Sequence, residues 1–73
     1  MQEQLNGPRR ALISPRERQV LALVARGASN RAIAAELGLS DETVKTLLSR
    51  AFAKLGTRKR GDAAARAHDL GLL

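Results

Sequence analysis

The sequence has no cysteine, no tryptophan and no tyrosine, and its one aromatic residue is Phe52. Without cysteine, neither a disulfide nor a thiolate zinc site can reinforce the fold. The single histidine, His68, has no second histidine or cysteine to share a metal with, so no metal site and no cofactor is expected. With so little aromatic surface, the core has to be built from Leu, Ile, Val and Ala. No apolar run approaches the ~20 residues that span a bilayer, and no signal-peptide pattern opens the chain. Strand alternation, internal repeats and a Ser/His/Asp or paired-carboxylate arrangement are missing as well. Glu17, Glu36 and Asp62 read as helix-start or surface charges, so no enzyme is expected. At 73 residues the chain holds one domain at most. Such a domain buries roughly 60% of the surface its unfolded chain exposes. What remains is a small, soluble, intracellular, all-α domain.

A further absence concerns one sign of charge. Between Thr43 and Gly61 there is no acidic residue, while six basic ones occur: Lys45, Arg50, Lys54, Arg58, Lys59 and Arg60. Elsewhere seven basic residues balance seven acidic ones, so the whole formal excess of +6 lies in that stretch. A pI near 11.4 points to an anionic partner, either nucleic acid or a membrane surface. A membrane-surface helix sets its basic face against bulky residues turned toward lipid. Here the apolar faces are accounted for by burial against one another, so no membrane partner is expected.

Four helices are expected, over about 15–26, 30–37, 41–55 and 61–70. Residues 1–11 read as a tail or linker, and Leu12 and Ile13 as anchors that begin the domain at 12–73. Ser14-Pro15-Arg16-Glu17 combines an N-cap hydroxyl, a proline at the first helical position and a glutamate three residues past the cap. Val20, Leu21, Leu23 and Val24 form that helix's buried stripe, and Gly27 ends it. Ser29 caps the second helix, which buries Ile33, Ala34 and Leu37 and stops at Gly38. Gly38-Leu39-Ser40 has the length of the turn that joins two helices of a helix-turn-helix. Ser40 caps the third helix, and Asp41 and Glu42 suit its positive N-terminal dipole. Gly56 stops it. A basic loop then leads to an Ala-rich fourth helix closed by Gly71.

On a helical wheel the third helix divides cleanly. Val44, Leu47, Leu48, Ala51, Phe52 and Leu55 fall on one side, within roughly 140°. Opposite lie Glu42, Thr46, Ser49 and Ala53, bordered by Lys45 on one flank and by Thr43, Arg50 and Lys54 on the other. Short side chains along the middle let a helix backbone approach base edges. Long cations at the borders reach bases inward or phosphates outward. Arg58, Lys59 and Arg60 follow directly and read either as a plain solvated loop or, from their position beside the third helix, as a phosphate clamp.

Several blocks then coincide in order and spacing: Ile13 to Leu21, Gly27 to Ala34, Ser40 to Thr46, and Lys54-Leu55-Gly56. Together they resemble the LuxR-type (GerE-like) helix-turn-helix domain from about Leu12 to Leu73. The resemblance implies a four-helix domain that binds double-stranded DNA as a homodimer and regulates bacterial transcription, often as a response-regulator output domain in the cytoplasm. Its helix-turn-helix corresponds to about residues 30–49. By position, Lys45, Thr46 and Ser49 fall on base-reading sites, and Asn30, Arg31, Ser40 and Thr43 on phosphate-contacting ones. The fourth helix, through Ala64, Ala65 and His68, is implied as the dimer contact, and RNA polymerase as a possible partner. Leu47 departs from the pattern, since the family often has histidine there. Two other readings compete: the promoter-reading region of a sigma factor, which shares the Thr43-Val44-Lys45 stretch, and a basic protein-interaction or dimerisation module. The Ser14 to Arg18 start and the helix after Gly56 argue against the sigma-factor reading.

Overall fold

The computed structural model describes residues 13–73; the expected tail over 1–11 and the anchor Leu12 lie outside the described residues. Among the described residues four helices follow one another: α1 Pro15–Ala25, α2 Asn30–Leu37, α3 Asp41–Leu55 and α4 Arg60–Asp69. Three begin on a serine cap. Ser14 Oγ accepts from Glu17 N at 3.1 Å, while Glu17 Oε1 accepts from Ser14 N at 2.9 Å, which closes a reciprocal capping box. Ser29 Oγ accepts from Ala32 N at 3.1 Å, and Ser40 Oγ from Thr43 N at 3.0 Å. At their other ends, α2 and α3 stop on Gly38 and Gly56, with φ of 68° and 73°. A side chain there would meet its own backbone, so glycine is the residue that ends both helices.

The fourth helix departs from expectation by one residue at each end, starting at Arg60 and not Gly61, and ending at Asp69 and not Leu70. Its cap residue, Lys59, is extended but makes no side-chain cap bond. The first turn closes through Ala63 N to Lys59 O at 2.9 Å. No capping hydroxyl marks this start in the sequence, which is why the boundary was displaced.

Helix α1 contacts each of the other three. One apolar cluster, Ile13, Leu21, Ala51, Leu55, Ala63, Ala67 and Leu72, joins α1, α3 and α4. A second, Val20, Leu23, Val24, Ile33, Ala34, Val44 and Leu48, joins α1, α2 and α3. Phe52 lies at the margin of both and is half-buried. Leu47 and Leu37, expected inside, are also half-buried. Leu37 ends α2 beside a shallow groove against Gln19, Ala22 and Arg26, where nothing covers its outer side. Between α2 and α3, Leu39 N donates to Ala34 O at 2.9 Å and its side chain packs against the second cluster. That turn holds α3 at a set angle to α2 with its polar strip outward. Among the described residues no helix is long and apolar enough to cross a membrane.

Candidate nucleic-acid interface

Helix α3 buries Val44, Leu48, Ala51 and Leu55, which turns its other side to solvent. Along that side Thr46, Ser49 and Ala53 are exposed, flanked by the exposed cations Lys45 and Arg50. Near the start of the helix, Ser40 Oγ donates to Thr43 Oγ1 at 2.9 Å while accepting from Thr43 N. The Thr43 hydroxyl, having accepted, keeps its own proton to donate outward. Asn30 is half-buried and Arg31 exposed at the start of α2. Along the last turns of α3 and the segment after it, Ser49, Phe52, Ala53, Gly56, Thr57 and Arg58 line an open hollow of about 510 Å³. The exposed Arg58 stands at its edge, continuing the basic border of the strip.

Two cations expected to meet phosphate have partners inside the fold. Lys54 Nζ lies 2.8 Å from Glu17 Oε1, across 37 residues of sequence. Glu17 is correspondingly no surface charge: it is 3% exposed, which corrects that half of its reading and leaves its capping role intact. Burial by itself would push the Glu17 carboxyl up. The hydrogen bond and charge of Lys54, with the amide and hydroxyl of Ser14, outweigh that and hold it below its ordinary value. Arg60 Nη1 donates to Asn30 Oδ1 at 2.7 Å, and Nη2 to Ala28 O at 2.8 Å. These bonds join the start of α4 to the start of α2. Of the six cations between Thr43 and Gly61, Lys54 is half-buried and Lys45, Arg50, Arg58, Lys59 and Arg60 are exposed, Arg60 while bonded to Asn30 and Ala28.

One contact had no sequence signal: Arg66 Nη1 donates to Leu55 O at 3.0 Å, bonding a carbonyl in the last turn of α3. On α4 itself, Ala63 and Ala67 face the core, whereas Ala64 is half-buried and Ala65 and His68 are exposed on the outer side. The expected base-reading residues lie on the α3 strip, the phosphate ones at the start of α2, along the start and border of α3 and in the segment after it, and the dimer ones on a helix that packs against α3.

Comparison with known proteins agrees with the four-helix fold. The family model described as "Bacterial regulatory proteins, luxR family" matches residues 11–67. A probable transcriptional regulatory protein NarL of Mycobacterium tuberculosis is 48% identical over 56 residues, covering 77% of this chain and 26% of that protein. A probable HTH-type transcriptional regulator GfsR of Streptomyces halstedii is 43% identical over 51 residues, covering 70% and 21%. This chain thus spans about a quarter of the length of the curated relatives it matches. The solved structure of the transcription factor GerE superposes with a TM-score of 0.79 at 34% identity, covering 85% of this chain and 92% of that one.

Proposed function

This chain belongs to the luxR family of bacterial regulatory proteins as a non-enzymatic helix-turn-helix DNA-binding domain, and from that premise we propose that α3 enters the major groove and reads sequence there. Lys45 reaches guanine acceptors, Thr46 meets a thymine methyl group, and Ser49 contacts a base edge further along the strip. Asn30, Arg31, Ser40, Thr43, Arg50 and Arg58 contact phosphate and fix the register of the helix in the groove. Two copies pair through the outer side of α4, by Ala64, Ala65 and His68, and read an inverted repeat. The whole acts in the bacterial cytoplasm, on the nucleoid, in regulating transcription.

The observation that carries this reading is the α3 strip: short exposed side chains at Thr46, Ser49 and Ala53, flanked by exposed Lys45 and Arg50, with no carboxylate between Thr43 and Gly61. A duplex can approach the backbone of such a helix while its phosphates meet the cations at the border. The test is fluorescence anisotropy against a pool of random duplexes at several salt concentrations, with the bound fraction recovered and sequenced. Salt-dependent binding with an enriched inverted repeat is expected. Binding without any enriched sequence removes the base-reading role. No binding even at low salt removes DNA as the partner.

A further inference from the structure

We propose that Arg60 is a positioning residue: its guanidinium sets the amide of Asn30 so that Nδ2 faces outward as a donor to DNA phosphate. The inference rests on the DNA-binding reading above and deepens it. Arg60 lies in the basic run that the sequence offers as a phosphate clamp, but its two nitrogens are already placed. Nη1 donates to Asn30 Oδ1 at 2.7 Å and Nη2 to Ala28 O at 2.8 Å, so the fork spans Ser29 and grips the residue on either side of it.

The chemistry of the two side chains then determines the orientation. A guanidinium carries donors alone, so the oxygen of the Asn30 amide is the atom that must face it. The amide is planar, and with Oδ1 toward Arg60 its NH2 group points away. A phosphate oxygen accepts and cannot donate, so Nδ2 is the half of the amide it can use and Oδ1 the half that would repel it. An amide without this anchor turns either end outward. Lysine cannot replace the fork, because an ammonium is a point charge without the planar, two-pronged geometry that spans both acceptors. The same fork ties down the first turn of α4, whose cap residue Lys59 makes no side-chain cap bond. Arg60 thereby joins the helix proposed to pair two copies to a residue proposed to hold the DNA backbone.

The experiment compares wild type, Arg60→Lys, Asn30→Ala and the double variant by anisotropy on the duplex recovered from the selection, across a salt series. Arg60→Lys keeps the charge and loses the fork. It is expected to weaken binding about tenfold, the size of one hydrogen bond to a charged acceptor, with the salt slope unchanged. Asn30→Ala should weaken it to a similar degree, and the double variant no further than Asn30→Ala alone. Asn30→Asp, which offers oxygen to Arg60 but no donor to phosphate, should bind no better than Asn30→Ala. Wild-type affinity in Arg60→Lys overturns the proposal, including the case in which its melting temperature falls while its affinity holds. So does a double variant in which the two losses multiply, or an Arg60→Ala variant whose salt slope falls by about 0.9, the signature of a direct phosphate contact. Wild type that binds no duplex removes the functional reading along with this inference. Wild type that binds, with independent variants, removes the role of Arg60 alone.

Discussion

Lys54→Met is expected to damage the fold and leave DNA affinity intact, although Lys54 lies in the basic stretch. Methionine keeps the length of the aliphatic stem and deletes the ammonium that sits 2.8 Å from Glu17 Oε1. Removing one partner of a fully buried ion pair is destabilising by about 3–5 kcal/mol, because a buried charge is left uncompensated. Here the two ends differ. The Glu17 side chain is 4% exposed and that of Lys54 33%, so water screens the lysine end and the expected loss drops to about 2 kcal/mol. A chain of this length has a total stability of roughly 4–11 kcal/mol, so that loss is a large fraction of it. In melting temperature it corresponds to a fall of about 8–16 °C.

Urea unfolding followed by far-UV circular dichroism reads the effect: the midpoint should fall at pH 7 with the slope m unchanged. The pH dependence supplies a second signature. Glu17 has a depressed carboxyl in the folded state, so over the window between its folded and unfolded values the unfolded chain binds more protons. Its contribution is complete above the unfolded value of about 4.3 and is lost as pH falls through the folded one. Without Lys54 the depression shrinks, and the acid limb of the stability curve should flatten. On DNA, the variant should keep its affinity and salt slope wherever it is folded. A loss under about 0.5 kcal/mol with an unchanged acid limb would refute the reasoning and make this an ordinary screened surface pair.

Three other predictions concern the interface and its supports. Lys45→Ala should weaken binding to the selected sequence by about 1–3 kcal/mol and relax preference at one base pair, while a loss equal on all duplexes would make Lys45 a phosphate contact. Gly56→Ala puts a side chain where φ is 73°, and its Cβ would lie 3.3 Å from Arg66 Nη1. The left-handed backbone alone is destabilising by about 1–2 kcal/mol, to be read by thermal unfolding; an unchanged melting temperature would show that the α3 terminus tolerates the strain. Ala65→Glu places a charge on the exposed side of α4 and should convert two-copy binding on the inverted repeat to one-copy binding at half-sites. Sedimentation of the DNA complex gives the stoichiometry, and two copies still bound would move the pairing surface elsewhere.

The helix starts at Ser14, Ser29 and Ser40, and the stops at Gly38 and Gly56, were legible because each cap acts on backbone groups within four residues of itself. The two sides of α3 were legible for a related reason: helical periodicity places Val44, Leu48, Ala51 and Leu55 together before any partner is known. Family membership was readable from the ordered blocks between Ile13 and Gly56, and the family match over residues 11–67 agrees. The partners of the long polar side chains were not readable. Lys54 looked like a border cation until α1 brought Glu17 beside it. Arg60 looked like a third clamp residue, yet it meets Asn30 and Ala28, 30 and 32 residues away. Arg66 carries no signal of its partner in the sequence, and it bonds the Leu55 carbonyl. A flexible arginine or lysine reaches many positions from one backbone site, so its charge is a property of the sequence. Which acceptor holds that charge depends on how α1, α2, α3 and α4 pack, and packing alone decides that Lys54, Arg60 and Arg66 are tied into the fold.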